Sequence, residues 1–210
     1  MNKEEYQYLL NYNVSHYEHE AVDLIKLPFL NLDSELFIDF TEDYFDLADQ
    51  DWERQKDHYP EEGNMRVRHN MNLLYGRHNT FLLKYGNNGD TNERLKEIFG
   101  YGNLAKLKLL PDTVLMRLIV KVPGHGIAIH LDDASTYIQK FSLAHKEKAK
   151  RLWFPVSQWE DGHFFQISDK VLSHWQVGDG YEIPWGIPHL GVNFGLKTQF
   201  TLNITGVTYG

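Results

Sequence analysis

GDGYEIPWGIPHLGVN, residues 178–193, is the stretch whose punctuation decides how this chain is read. Gly178 is followed by five residues and Pro184, by one more and Gly186, by two and His189, and by three and Asn193. An ordinary strand has no use for so many breakers. Glycine and proline fix sharp turns, so the block reads as a turn at Gly178 and Asp179, a short strand, a second turn at Pro184 to Gly186, and a new strand opening on His189. Asn193 then shares the His189 face. The expected form is a hairpin that presents one imidazole at a fixed depth, with Asn193 orienting it or a bound oxygen ligand.

Working upstream, Gly124 is followed after five residues by His130, Leu131 and Asp132. Alternate residues of a strand share a face, so His130 and Asp132 point into one layer while Leu131 and Asp133 point into the other. Asp132, not Asp133, is therefore the ligand candidate. His130, Asp132 and His189 together supply two imidazoles and one carboxylate, the facial set that holds Fe(II) and leaves its remaining positions open. Each residue alone reads more simply as a hydrogen-bonded side chain; the spacing carries the metal reading.

From residue 106 onward the chain consists of short apolar or alternating segments at 114–122, 126–131, 151–156, 163–167, 181–183 and 199–204, separated by Gly, Pro and Asp. Evenly spaced short strands with turn punctuation indicate a sandwich or barrel of antiparallel strands. The first half has a different texture. Helical spacing recurs over 3–11, 16–26 and 41–56, alternation over 30–40 offers one early strand, and 66–85 offers one or two more. Asp90 with Glu93 reads as a capping box for a helix ending near Gly100. The expected organisation is an N-terminal helical and mixed extension, residues 1–105, packed on a catalytic core, residues 106–210, as one structural domain.

Composition narrows the function. A net charge of -8 over 210 residues, without a long basic run, argues against a nucleic-acid surface. The absence of cysteine removes disulfides, zinc–thiolate sites and thiol nucleophiles. No stretch reads as a leader or a membrane span, and a cytoplasmic address is the expectation. Most of the aromatic residues read as core. The local basic cluster Arg66, Arg68, His69, Arg77 and His78 reads as a solvated face able to receive a carboxylate or phosphate.

The residues 178–193 resemble the second motif of the cupin superfamily at every fixed position, and 124–132 resembles the first, with Asp132 replacing its second histidine. A His-x-Asp pair with a distal histidine resembles the Fe(II)- and 2-oxoglutarate-dependent oxygenases. Within them, the order Gly-Asp, aromatic strand, His189, Asn193 and a final strand is similar to the aspartyl/asparaginyl β-hydroxylase-like branch, whose members often lack the carboxylate that Asp132 supplies here. The resemblance covers 109–210 and implies a mainly β double-stranded β-helix, or jelly roll. It also implies Fe(II), 2-oxoglutarate as cosubstrate and dioxygen as co-reactant, with hydroxylation of an unactivated C–H bond in an amino acid, peptide side chain or small metabolite.

That chemistry needs a cation for the distal carboxylate of 2-oxoglutarate, because the group enters a water-poor pocket. Relatives carry Arg about ten residues after the distal histidine; here position 199 is Gln. Arg151, able to form a bidentate pair, and Lys197 are the candidates, with Thr201, Asn203 and Tyr137 as neutral hydrogen-bond partners. If neither cation points into the barrel, a cupin using a metal without 2-oxoglutarate, as isomerase or direct dioxygenase, becomes the better reading. A non-catalytic ligand-binding cupin is the third. Paired N-terminal helices would offer a homodimer surface.

Overall fold

The computed structural model describes residues 3–4, 22–44, 82–86, 89–132, 134–143 and 148–209, with the backbone alone for 82–86, 89, 128–130 and 136. Its strands form two antiparallel sheets. The larger contains β1 (Ile25–Lys26), β2 (Leu82–Gly86), β3 (Leu115–Lys121), β5 (Ala149–Pro155), β8 (Tyr181–Glu182) and β10 (Gln199–Val207), in the order β1-β8-β5-β10-β3-β2. The smaller contains β4 (His125–His130), β6 (His163–Ile167), β7 (Lys170–Leu172) and β9 (His189–Asn193), in the order β4-β9-β6-β7. From β3 to β10 the chain crosses repeatedly between the sheets, apart from the β6–β7 hairpin within the smaller one, and β10 returns beside β3, which is the winding of a double-stranded β-helix. The mainly β jelly-roll expectation holds, and each strand segment expected after residue 106 coincides with an observed strand.

Alternation along the strands explains the layering. Met116, Leu118 and Val120 of β3, Leu152 and Phe154 of β5, and Leu202 and Ile204 of β10 lie on one face of the larger sheet and form the main core. Against them pack Phe37 and Phe40 of α1 (Ser34–Asp43), Leu95 and Phe99 of α2 (Gly89–Phe99), and Leu104 of α3 (Tyr101–Lys106). The opposite face looks toward the smaller sheet, where Trp153, Phe165, Ile167, Leu172, Trp175 and Ile183 make a second, smaller core. A further helix, α4 (Ser135–Phe141), follows the His-x-Asp segment.

Several N-terminal expectations are corrected. Residues 34–40, expected in a strand, are helical: Asp33 caps the helix by accepting the Glu35 amide, and Phe37 and Phe40, one turn apart, are both buried. The alternation that suggested a strand is this helical stripe seen over too short a window. Residues 22–26, expected in a helix, are extended and end in β1. Asp90 is not a cap but sits in the first turn of α2, and Glu93 accepts from Lys96 at 2.8 Å instead of reaching back. The helix expected over 41–56 is seen only through Asp43, and most of 3–21, all of 45–81, the basic cluster and Asp133 lie outside the described residues. Residues before 106 also add β1 and β2 to the edges of the larger sheet. Among the described residues no helix is long and apolar enough to cross a membrane.

Candidate metal centre and its pocket

The punctuation of residues 178–193 has a structural reason at each step, though the segment is not a hairpin. β8 pairs with β5 in the larger sheet while β9 pairs with β4 and β6 in the smaller, so the intervening residues cross between sheets. Pro184 and Pro188 have no N–H to offer a strand partner, which suits them to the crossing. Gly178 adopts a left-handed φ of 95°, and a side chain there would strike the carbonyl oxygen of Leu30. At the second turn the Gly186 amide donates to the Asp132 carbonyl at 3.0 Å. The motif thereby ties itself to the His-x-Asp segment.

His189 begins β9, buried, with Nδ1 at 3.0 Å from the Ile187 carbonyl. A carbonyl only accepts, so Nδ1 is the donor in that contact, which orients the ring and turns Nε2 away from the backbone. Nε2 lies 3.4 Å from Asp132 Oδ2. An imidazole oriented through one nitrogen, with the other facing a carboxylate oxygen, is the arrangement metal-binding histidines show. The His130 backbone lies directly opposite His189 in the β4–β9 register, past an irregularity after Ile127, while its imidazole lies outside the described residues. Asp132 and His189 are thus two of the three candidate ligands brought together as side chains, and among the described side chains no group of three is placed to hold a metal. The donor set fits a borderline cation with oxygen and nitrogen ligands.

The other expected residues divide sharply. Arg151, 5% exposed, is bonded through Nη1 to Asp132 Oδ2, with its guanidinium over the Trp185 ring at 5.2 Å. Burial lowers its pKa, and the Asp132 charge acts in the opposite direction. Lys197 lies on the turn before β10, 70% exposed, and pairs with Glu160. Tyr137 is buried on α4, where its hydroxyl donates to the Thr113 carbonyl; burial pushes its phenol up, offset in part by that bond. Asn193 is wholly buried and fully used: its amide nitrogen donates to the carbonyls of Lys121 and Lys197, and its oxygen accepts from Gly195. It fastens β9 to β3 and to the turn, and its amide is committed to those bonds. His163 is buried with Nε2 on the Lys197 carbonyl.

A small, partly open pocket lies between the sheets and is lined by Ile119, Lys121, Ile127, Trp153, Phe165, His189, Gly191, Thr201 and Asn203. Thr201 and Asn203, two of the neutral candidates, are among these residues. Lys121 was not foreseen: it ends β3 at 2% exposure and donates to Thr201 Oγ1 at 3.0 Å. A signal for it existed in the sequence, since Arg117, Ile119 and Lys121 share one parity of a strand whose other parity is Met116, Leu118 and Val120. Trp153 Nε1 and Asn203 Oδ1 are buried without a hydrogen-bond partner, as are both amide atoms of the neighbouring Gln199. Buried polar atoms rarely stay unpaired without a reason such as a ligand or water.

No protein family and no curated protein matches this sequence. Among solved structures, the chain is similar to a predicted oxalate decarboxylase from Thermotoga maritima, at 13% identity over 46% of this chain and 69% of that one, with a TM-score of 0.33. An uncharacterised protein with a double-stranded β-helix domain from Klebsiella pneumoniae matches at 15% identity over 45% of this chain and 68% of its own, TM-score 0.32. A non-haem monooxygenase solved as a nickel complex matches at 14% identity over 45% of this chain and 43% of its own, TM-score 0.34. The fold is read here from the strand pairings, which by themselves define a double-stranded β-helix.

Proposed function

We propose that this protein is an Fe(II)- and 2-oxoglutarate-dependent oxygenase that hydroxylates a C–H bond of an amino acid, peptide side chain or small metabolite, with His130, Asp132 and His189 as metal ligands. The observation that carries this reading is the approach of His189 Nε2 to Asp132 Oδ2 at 3.4 Å beside the inter-sheet pocket, with His130 opposite His189 in register. Bound together, Fe(II), 2-oxoglutarate and dioxygen would supply oxidative hydroxylation, with succinate and carbon dioxide as co-products. The protein's own part is orientation and exclusion of water. The Ile187 carbonyl fixes the orientation of the His189 ring. Arg151 and the Trp185 ring hold the Asp132 carboxylate, so Arg151 acts as a positioning residue and not as a cosubstrate cation. Ile119, Ile127, Trp153 and Phe165 keep the cavity wall apolar.

A second reading, a metal-dependent cupin that does not use 2-oxoglutarate, is favoured by one observation: neither Arg151 nor Lys197 lines the pocket. The two separate in aerobic incubations with Fe(II), 2-oxoglutarate and a panel of amino acids and peptides. Succinate formed by the wild type and not by His189→Ala is the expected result. Metal-loaded protein that transforms a substrate with no consumption of 2-oxoglutarate would establish the second reading in its place.

A further inference from the structure

We infer that Trp153 and Asn203, neighbours across β5 and β10, form a recognition site for a carboxamide group, the indole N–H taking its oxygen and the Asn203 side-chain oxygen taking its N–H. The site uses none of the metal ligands and holds for either reading of the metal centre.

The two side chains are what remains of the pocket's polarity once the others are accounted for. Lys121 donates to Thr201 Oγ1, and His189 is oriented by the Ile187 carbonyl and faces Asp132. Trp153 Nε1 and Asn203 Oδ1 are buried and have no hydrogen-bond partner among the described residues. They also stand together: Asn203 and Trp153 are paired in the β10–β5 register, and both line the pocket. Directly opposed residues of antiparallel strands hold their Cβ atoms about 4.5–5.5 Å apart. The indole is not free to turn toward another partner, because its ring is stacked on Phe165 at 4.4 Å and 8°, with Trp175 edge-on at 5.3 Å. Its donor direction is set by packing. On the other face of the same strands, Leu152, Phe154, Leu202 and Ile204 show that apolar residues fit this sheet. A buried donor and a buried acceptor left side by side cost free energy that such residues would avoid. A ligand that satisfies both removes the cost.

An amide meets both demands at once. The indole N–H is a donor only, and the Asn203 oxygen is an acceptor only. A carboxamide carries an acceptor and a donor on two atoms of one plane, which suits partners on neighbouring strands. A ketone of the same shape leaves the Asn203 oxygen unpaired, and a carboxylate turns a second acceptor toward it. The rest of the wall includes Ile119, Ile127 and Phe165, apolar surface for the carbon chain that carries the amide. Discrimination between an amide and an acid is thus built into β5 and β10.

Acetamide, acetone and acetate share one shape and differ in the group offered to Asn203, so they test the assignment directly. The readout is the NMR resonance of the Trp153 indole N–H in metal-free, full-length protein, where no metal competes for acetate. Its absence from Trp153→Phe identifies it; if that variant does not fold, sequential assignment of the wild type does so. Acetamide should move this resonance and bind about 10-fold more tightly than acetone, the effect of one hydrogen bond to an otherwise unpaired buried acceptor. Acetate should bind more weakly than acetamide. Asn203→Leu, which keeps the indole, should remove the preference for acetamide over acetone while the Trp153 resonance still responds to both. Acetamide that fails to bind or binds without moving the Trp153 resonance, acetate that binds as tightly as acetamide, or an Asn203→Leu protein that keeps the wild-type preference overturns the inference. None of these results bears on Fe(II) or 2-oxoglutarate, so the metal reading stands or falls separately.

Discussion

The two faces of the larger sheet use the same strands for opposite purposes. On the helix-facing side β3, β5 and β10 present Met116, Leu118, Val120, Leu152, Phe154, Leu202 and Ile204, all buried and all apolar. One residue further along each strand, the face toward the smaller sheet presents Ile119 and Lys121, Arg151 and Trp153, Thr201 and Asn203, a mixture in which a buried cation, an ion pair and unpaired amides persist. Burial is nearly equal on the two sides; polarity is not. The apolar face is what close packing requires, whereas the polar face carries desolvation costs that packing alone would not select.

The largest expected effect breaks the apolar side. Phe154 is wholly buried against Phe99 with ring centroids 5.7 Å apart, so Phe154→Ala should cost about 3–5 kcal/mol of unfolding free energy in urea titrations. Metal affinity per folded molecule should stay unchanged. If metal binding falls in step with stability, the two faces are not separable.

An intermediate effect belongs to the polar side. Arg151→Met removes the partner that holds Asp132 and substitutes a neutral chain of similar length against Trp185. Loss of such an outer partner typically weakens a metal site about 10- to 100-fold, while global stability should change little because a buried charge leaves with it. Equilibrium dialysis with Mn(II) and thermal unfolding read the two quantities separately. A large fall in stability with unchanged metal affinity would make Arg151 a packing residue.

The smallest effect sharpens the contrast from outside. Lys197 and Glu160 form a solvent-exposed pair at 2.6 Å with Lys197 70% exposed, so Lys197→Ala should alter stability by less than about 1 kcal/mol. It should also leave 2-oxoglutarate affinity untouched. A tenfold loss of that affinity in calorimetry would return Lys197 to the site.

The same contrast explains what could be read in the sequence. Strand periodicity and turn residues are local signals, and they located β3, β5, β6, β10 and the start of β9 at His189, because each segment's alternation is enforced by its own two faces. The region 34–40 reads differently for the complementary reason: Phe37 and Phe40 are one helical turn apart, a spacing that passes for alternation within a few residues, and the helix starts at the Asp33 cap. Distances across the barrel are not local. Lys197 sits at a plausible interval after His189, yet the Asn193 side chain grips the Lys197 carbonyl and holds the turn outside the pocket. Lys121 lies before the His-x-Asp segment, where no spacing rule looks, and only the strand register brings it to the pocket that His189 also lines. Asn193 was legible as a fixed element of the block, but its work is to tie two strands and a turn together.

The central claim, a metal held by His130, Asp132 and His189 that accepts 2-oxoglutarate, is tested most directly by visible spectroscopy of the anaerobic protein. Addition of Fe(II) and then 2-oxoglutarate to the wild type should produce the weak charge-transfer band of the chelate, and His189→Ala under the same conditions should not. A wild-type spectrum that stays featureless after Fe(II) binding has been verified would contradict the account.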